Sequence, residues 1–379
     1  MSQMRETPIL RRRNTHPPYD IVLNILARLP AKSLMRFRCV SKSFDSSIKS
    51  HDFISTHLNI NKNHDNGYVI HMGSNPSSPP SNRPVCTVAL DRTFDRISEF
   101  AVPFDFPFKH AGIVGSCNGL LCFSNCYKFI YLWNPSIRKF KKLPHTCLGQ
   151  LNNVIIGFAY DSENNDYKVV RISYSPLSIL EIEVYTLSLD SWRRVGFNLT
   201  IDVVFCSELP APLVNGALHW MARIEGEETE LIMAFDVNSE KFAILALPDG
   251  FTNVNIFQRC LASFKGKLAF ITCACNEQFG FPCQYSVWVM NEYGVAESWN
   301  KLSVILTPFE RVACCLAFTE YGSLLLCCLN KRFESRGSRF VLVDTETLHE
   351  KEDPIQHPSH VTTFMESLIL LDGANVASY

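Results

Sequence analysis

Apolar residues follow two different spacings in this chain, and the change between them divides it into two parts. In residues 17–58, apolar side chains recur three or four positions apart, as in Ile21, Ile25 and Leu29, which is the spacing of one helix face. From about residue 85 onward, short runs rich in β-branched and aromatic residues alternate with Gly, Pro, Asn and Asp, which is typical of strands and turns. The pattern predicts a small helical unit followed by a large all-β domain.

Prolines and a serine divide the helical stretch into three short helices. Pro17 and Pro18 suit a first turn, because proline loses no intrahelical hydrogen bond there. Pro30 ends the first helix, since the residue before a proline avoids the α region, and Ser41 suits the N-cap of the third helix. Helices this short do not persist alone, so the unit must pack on itself, and we expect it to pack on a partner.

Three pieces of this stretch form a recognisable motif, ILARLP at residues 25–30, KSL at 32–34 and RFRCVSKS at 36–43. With these pieces the stretch resembles an F-box, the docking module of SCF-type ubiquitin ligases, while Phe44 stands where the family usually has Trp. The resemblance implies binding to a Skp-type adaptor, and through it to a cullin/RING ligase. The residues that would contact the adaptor are Pro18, Ile21, Ile25, Leu26, Leu29, Pro30, Leu34, Val40, Ser41 and Lys42. The alternative is a generic three-helix or helix-turn-helix module that packs only on its own chain.

Paired apolar residues recur in the second part of the chain at intervals of about 50 residues, the period of kelch-like propeller blades. The pairs that end one strand and begin the next are Trp133 with Phe140, Tyr185 with Trp192, and Phe235 with Phe242, and related units follow at Trp288 and Val343. Asn118-Gly119, Asn215-Gly216 and Lys265-Gly266 predict hairpin turns, because these residues tolerate positive φ.

Five repeats are visible, and a sixth blade can be assembled from the two ends of the all-β region. Residues 366–371 would join early strands near Tyr68 and Cys86, and this shared blade would close the ring and remove exposed sheet edges. The predicted fold is therefore an α+β multidomain chain, a small all-α unit followed by a β-propeller of about six four-stranded blades.

The propeller region resembles the kelch-like F-box-associated (type 1) domain of plant F-box proteins, including the S-locus F-box-like group. The matching phrases are GSCNGLLC at 115–122, LWNPS at 132–136, NDYKVVR at 165–171, VYTL at 184–187, NGALHW at 215–220 and VWVM at 287–290. The expected domains are a disordered basic tail (1–16), the F-box (17–58), a linker with a first strand (59–84) and the propeller (85–379).

Composition and charge limit the binding partners and the cellular compartment that we expect for this protein. The 37 acidic and 36 basic residues leave a net charge of -1, so we expect neither nucleic acid nor an anionic membrane as a partner. The start of the chain lacks the apolar core of a signal peptide. Fifteen cysteines lie mostly in apolar runs and fit core positions of a reducing compartment. We therefore expect a soluble protein in the cytoplasm and/or nucleus.

Candidate chemistry is sparse, and we predict no catalytic, cofactor or metal site. H-E-x-x-H, G-x-S-x-G and phosphate-loop motifs are missing from the sequence. Cys273, Cys275 and Cys283 form the most metal-like cluster, but their spacing better fits one face of a packed strand. His357 and His360 are interpreted as solvated residues flanking a C-terminal loop.

A basic patch and two variable loops complete the candidate surfaces. Arg138, Lys139, Lys141 and Lys142 are interpreted as the solvent face of an outer strand. The resemblance implies a receptor that presents propeller loops to a protein target, with residues 276–282 and 330–338 as candidate loops. Two alternatives remain open, a propeller enzyme or ligand sensor with a vestigial helical cap, and a binding scaffold that does not assemble into a ligase.

Overall fold

The computed structural model describes most of the chain beyond residue 16. The described residues are 17–62, 68–73, 85–90, 95–104, 111–125, 129–148, 153–174, 180–206, 211–249, 256–275, 283–307, 311–318, 324–329, 338–344, 350–356, 358–369 and 376–378.

Four short helices form the N-terminal unit, one more than the apolar spacing predicts. They are α1 (Tyr19–Leu26), α2 (Ala31–Phe37), α3 (Lys42–Lys49) and α4 (His51–Lys62). The predicted cap of α3 is confirmed, since the backbone N–H of Phe44 donates to Oγ of Ser41 over 3.1 Å. Helix α4 continues four residues past residue 58, because Ile60 still packs against the helical core. Residues 59–62 are therefore helical, whereas composition predicts a linker there.

Apart from two 3-10 turns, Pro135–Ile137 and Ala296–Ser298, the remaining elements of the described residues are antiparallel strands. In the first half of the chain they are β1 (Tyr68–Gly73), β2 (Val85–Leu90), β3 (Arg96–Ala101), β4 (Ala111–Cys117), β5 (Leu120–Asn125), β6 (Phe129–Asn134), β7 (Lys139–Lys142), β8 (Val154–Asp161), β9 (Asp166–Tyr174), β10 (Leu180–Thr186) and β11 (Ser191–Val195). In the second half they are β12 (Val203–Phe205), β13 (Leu213–Val214), β14 (Ala217–Ile224), β15 (Glu230–Asp236), β16 (Phe242–Leu245), β17 (Ile256–Phe264), β18 (Lys267–Cys275), β19 (Cys283–Met290), β20 (Trp299–Thr307), β21 (Arg311–Phe318), β22 (Leu324–Leu329), β23 (Ser338–Val343), β24 (Glu350–Gln356), β25 (Pro358–Phe364) and β26 (Val376–Ser378).

These strands form six sheets arranged as the blades of a propeller. Blade 1 contains β4–β7 with β26, blade 2 contains β8–β11, blade 3 contains β12–β16, blade 4 contains β17–β20, and blade 5 contains β21–β24. Blade 6 has the order β25-β1-β2-β3 and joins the two ends of the domain. Contacts run around a closed circle from β4 to β8, β14, β17, β21, β25 and back to β4. The prediction of about six blades is confirmed. Because blade 6 contacts blade 1, the ring is closed and neither end of it is left exposed.

The repeat pairs seen in the sequence are neighbours across adjacent strands. Trp133 lies opposite Phe140, and the same pairing recurs for Tyr185 with Trp192 and Phe235 with Phe242. The hairpin turns predicted from Asn-Gly and Lys-Gly have positive φ at both residues, as such turns require. The period of the sequence therefore reports the pairing of the third and fourth strands in successive blades.

The strand that closes blade 6 differs from the predicted one. β25 pairs with β1, with Phe364 opposite Tyr68, whereas the prediction assigned this role to residues 366–371. Residues 365–369 are not a strand, and residues 370 and 371 lie outside the description. The prediction of a shared closing blade is right, but the strand is wrong, because Glu366 and Leu368 are engaged by the helical unit instead.

The structure corrects two further predictions, the solvent exposure of Lys141 and the loop position of His360. Lys141 is fully buried and its Nζ lies 2.9 Å from Oδ1 of Asp190. The predicted solvent-facing patch is therefore wrong at this position, because β26 pairs with β7 and blade 2 covers it. His360 lies within β25, opposite Met72, and not in a loop; His357 lies outside the described residues.

Several predicted features rest on residues whose side chains the structure does not describe. Cys275 lies opposite Cys283 in the register of β18 and β19, but the side chains of these two residues and of Cys273 are outside the description. The same holds for the candidate loops at 276–282 and 330–337.

Candidate docking face of the helical unit

Three large apolar side chains of the helical unit lie in solvent. Ile21 and Ile25, four residues apart on α1, are 48% and 57% exposed, and Val40, between α2 and α3, is 66% exposed. Ser41 and Lys42, which follow Val40, are also exposed, as are Pro18 and Pro30. Large apolar side chains that stay exposed on a small helical unit are candidates for contact with another protein when they lie together at the surface. We call the exposed residues Pro18, Ile21, Ile25, Pro30, Val40, Ser41 and Lys42 the outer face.

The other predicted contact residues lie inside the unit. Leu26 is 4% exposed and Leu34 is fully buried, and Leu29 is half-buried. They pack with Ala31 and Ile48, together with Ile137 and Leu368 from outside the helices. We call this packed side the inner face. Leu26 and Leu34 therefore hold the unit together and to the propeller, and both side chains are buried within this chain.

An aromatic contact, missed at the level of sequence, joins the start of α1 to α3. The ring of Tyr19 stacks on that of Phe44 with centroids 6.0 Å apart. The Tyr19 hydroxyl lies 3.0 Å from both Ser43 Oγ and Ser47 Oγ. These contacts fix α1 against α3, so the two segments that carry the outer face keep one arrangement. The only signal in the sequence is an aromatic residue at the first position of a helix.

A polar groove lies beside the outer face, between α2 and α3. It has a volume of about 630 Å³, and its lining includes Arg38, Lys42, Asp45 and Lys49. The Asp45 carboxylate accepts from Lys49 and Arg38 over 2.7 Å each, and these hydrogen bonds lower its pKa. Lys42 is exposed at the edge of this groove and adjoins Val40 and Ser41. The outer face therefore combines an apolar surface with positive charge at its rim.

The inner face is held by contacts that reach residues distant in sequence. The backbone N–H of Ala31 donates to Oε2 of Glu366 over 2.8 Å, and Asn61 Nδ2 donates to the Glu366 carbonyl. His57 is buried, and its Nε2 lies 3.1 Å from the Leu29 carbonyl. Burial lowers the pKa of His57, although the Leu29 carbonyl and the Glu366 carboxylate act in the opposite direction. Sequence reasoning missed Glu366 and Leu368, because no local pattern connects them with the helices.

Comparisons with known proteins decide the family. The family described as "F-box associated beta propeller domain" matches residues 76–352, and the family "F-box domain" matches residues 18–56. F-box protein CPR1 of Arabidopsis thaliana is 30% identical over 321 residues, which covers 77% of this chain and 73% of that protein. The chain belongs to the plant F-box proteins with an F-box-associated β-propeller domain. An F-box/kelch-repeat protein of Arabidopsis thaliana is 28% identical over 314 residues, which covers 78% of this chain and 81% of that protein.

Among solved structures, the similarity to this F-box protein is distant. Dipeptidyl peptidase 4 of Porphyromonas gingivalis gives a TM-score of 0.34 at 10% identity, covering 76% of this chain and 45% of the peptidase. A likeness this weak supports no conclusion about the chain.

Buried charges in the propeller of this F-box protein are paired with one another. Arg171 Nη1 lies 2.6 Å from Oε1 of Glu183, which also accepts from Thr146 Oγ1 over 2.8 Å. Lys168 Nζ lies 2.8 Å from Asp161 and 3.0 Å from Glu240. Burial alone would raise the pKa of Asp161, but hydrogen bonds from Lys168 and Asn164 lower it. The opposite charges are therefore paired with each other, although Nε of Arg171 is buried without a hydrogen-bond partner among the described residues.

Within the part of the F-box protein that the structure describes, no three His, Cys, Asp or Glu side chains are grouped so that they could hold a metal ion. Among the same residues, none of the helices has the length and apolar character needed to cross a bilayer.

Proposed function

We propose that this protein is the substrate-receptor subunit of an SCF-type ubiquitin ligase, with the F-box bound to a Skp-type adaptor and the propeller bound to a target protein. The adaptor would link the chain to a cullin/RING ligase, and the bound target would be ubiquitinated and sent to the proteasome. We expect this activity in the cytoplasm and/or nucleus. The observation that carries the proposal is the outer face, an exposed apolar surface at the positions of the F-box motif.

The outer face has the properties of a binding surface and not of an unfinished core. The inner face already buries Leu26 and Leu34 against the propeller, so the helices do not need a partner to cover that side. Ile21, Ile25 and Val40 remain about half exposed, so burying each of them against a partner contributes roughly half of the 1.5–3 kcal/mol that a fully exposed side chain would. Lys42 at the rim would steer an acidic surface toward this site.

The arrangement of the propeller favours its opposite face for the target. The F-box lies on the face formed by the turns after β4, β6 and β8, since Gly119, Ile137 and Asn165 lie against the helices or the residues 365–369 beneath them. Strands of a blade alternate in direction, so connections such as 225–229 after β14 lie at the other face. Loops on a rigid scaffold are the usual location of binding residues.

In this role the chain would perform no bond-making step. Holding the target and the charged ubiquitin enzyme in one assembly replaces a bimolecular encounter with a high effective concentration. The residues that matter are then those that bind the adaptor and those that bind the target.

The test is affinity capture from proteasome-inhibited plant cells with wild type and Ile25→Asp. Ile25 is a sharper probe than Leu29, because Leu29 is half-buried and its carbonyl bonds His57. We expect Ile25→Asp to lose the Skp-type adaptor and cullin while it retains target proteins bound by the propeller.

Ile97→Asp is the matched control, since Ile97 is an isoleucine with similar exposure on the propeller strand β3. It should recover the adaptor as wild type does. Equal recovery of the adaptor by Ile25→Asp and wild type would overturn the proposal, as would the failure of wild type to recover it.

A further inference from the structure

Five residues form a strap between the F-box and the propeller. The strap, Met365–Ile369, follows β25, the inner strand of blade 6, on the way to β26, which pairs with the edge strand β7 of blade 1. Its residues alternate between two neighbours. Glu366 and Leu368 contact the helices, whereas Ser367 and Ile369 contact the propeller.

The upper side of the strap completes the F-box. Oε2 of Glu366 accepts the N–H of Ala31, the first residue of α2, where helical N–H groups have no partner within the helix. A carboxylate at this end also interacts favourably with the helix dipole. Leu368 is 2% exposed and packs in the same cluster as Leu26, Ala31 and Leu34. The F-box core is therefore not complete without the strap.

The lower side of the strap is bonded to blade 1. Asn134 Nδ2 donates to the carbonyls of Ser367 and Ile369, over 3.3 and 3.0 Å. The N–H of Ser367 donates to Ser136 Oγ over 3.3 Å. Asn134 is the last residue of β6, and Ser136 lies in the 3-10 turn that follows it. Below, the backbone of the strap is hydrogen-bonded to blade 1, and above, the Glu366 and Leu368 side chains and the Glu366 carbonyl contact the helices.

The turn between β4 and β5 shows how closely the strap approaches the propeller. A Cβ placed on Gly119 would lie 2.4 Å from Ser367 Cβ and 2.5 Å from the Met365 carbonyl oxygen. Gly216 occupies the corresponding hairpin turn of blade 3, with a similar φ of +74° against +78°, and nothing lies within 4 Å of its Cβ position. Both glycines therefore adopt a positive φ, but only Gly119 lies against the strap.

We propose that the strap fixes the orientation of the F-box on the propeller, with Glu366 and Leu368 as positioning residues that set where a bound target stands relative to the ligase. This consequence for ubiquitin transfer rests on the proposed function, whereas the orientation itself does not. The contact between Ala31 and Glu366 joins parts of the chain that are 335 positions apart, so its loss should loosen the F-box on the propeller, although Ile137 and Leu368 still pack against the helices.

The experiment measures the distance between the two domains in the full chain. Spin labels are placed through unnatural amino acids at Arg36 on α2 and Glu227 at the opposite face, both exposed, and the distance distribution is recorded by pulsed electron resonance. Wild type should give one narrow distribution. Gly119→Ala should broaden and shift it, because the added methyl displaces the strap.

Gly216→Ala is the matched control, since it imposes the same backbone strain without touching the strap. It should keep the narrow distribution of wild type. If Gly119→Ala does not fold, the Glu366→Ala variant tests the proposal in its place. Glu366→Ala should broaden the distance distribution and increase the rate of hydrogen exchange at the Ala31 amide. A narrow, unshifted distribution in Glu366→Ala, or equal broadening in Gly119→Ala and Gly216→Ala, would overturn the proposal.

Adaptor titration of the same variants separates this inference from the proposed function. The outer face is untouched by the substitutions, so adaptor affinity should stay within a factor of a few of wild type. If the wild-type protein did not bind the adaptor, the proposed function would be contradicted but the inference about the strap would not, because the distance measurement needs no adaptor.

Discussion

The inner and outer faces of the F-box carry similar apolar residues in different surroundings. Leu26 and Leu34 are covered by the other helices, the 3-10 turn at Pro135–Ile137 and the strap, whereas Ile25 and Val40 lie in solvent. One sequence motif therefore serves two purposes, since part of it builds the domain and part of it presents a surface. Stability and binding should then respond to different substitutions, and each prediction below tests that separation.

The largest effect on stability is expected from the inner face. Leu34→Ala should lower the free energy of unfolding by about 2–5 kcal/mol, because it leaves a cavity in a fully buried cluster. Urea unfolding followed by circular dichroism measures the change. A loss below about 1 kcal/mol would mean that the inner face is not a packed core.

Acidity should weaken the inner face through His57. Burial holds the pKa of His57 below its ordinary value of 6.5, so the unfolded chain binds the additional proton. The contribution of His57 to stability is therefore fully present above about pH 6.5. At lower pH the free energy of unfolding decreases, by at most about 1.4 kcal/mol per pH unit for this group. Urea midpoints at pH 7.5 and 5.5 should show a smaller pH difference in His57→Gln than in wild type.

Other buried histidines do not confuse that comparison. Burial lowers the pKa of His71 and of His219 to about 4, and both residues are unchanged in His57→Gln, so their contributions cancel. His145→Gln, at an exposed ring, is the matched control. An equal pH difference in His57→Gln and wild type would contradict the account.

A smaller effect is expected at Ser41, a residue of the outer face that also caps α3. Ser41→Ala should lower the free energy of unfolding by about 1 kcal/mol, because the N–H of Phe44 loses its cap. Thermal unfolding measures it against Ser46→Ala, an exposed position within the same helix. If the two variants melted together, the cap would contribute nothing in this unit.

The smallest effect on stability is expected at the outer face. Ile25→Ala should change the free energy of unfolding by less than about 0.5 kcal/mol, as is usual for an exposed position. The same urea experiment used for Leu34→Ala gives the comparison directly. A loss as large as that of Leu34→Ala would show that the faces are not distinct.

Much of this architecture could be predicted from local spacing. The helical stretch, the cap at Ser41 and the aromatic pair Trp133–Phe140 all depend on residues within about ten positions of each other. Such short-range patterns report helix faces and paired strands directly. Five of the six blades also followed from the repeat of the same pair of strands, whereas the sixth followed from the need to close the ring.

The sequence could not separate the two faces of the F-box. Spacing places Ile25 and Leu26 on one apolar side of a short helix, but which of them is buried depends on the propeller surface beneath. Glu366 illustrates the same limit, since its partner Ala31 lies 335 positions away. The closing strand was misplaced for this reason. Residues 366–371 read as an apolar run, yet Leu368 fills the F-box and β25 closes the ring.

The most direct test of the outer face is a calorimetric titration of purified full-length protein with a purified Skp-type adaptor. The account predicts that wild type and the Ile97→Asp control bind alike, while Ile25→Asp loses at least about tenfold in affinity, or about 1.4 kcal/mol, with unfolding curves unchanged. Equal affinities for wild type and Ile25→Asp would contradict it, and the exposed residues of α1 would then have no role in adaptor binding.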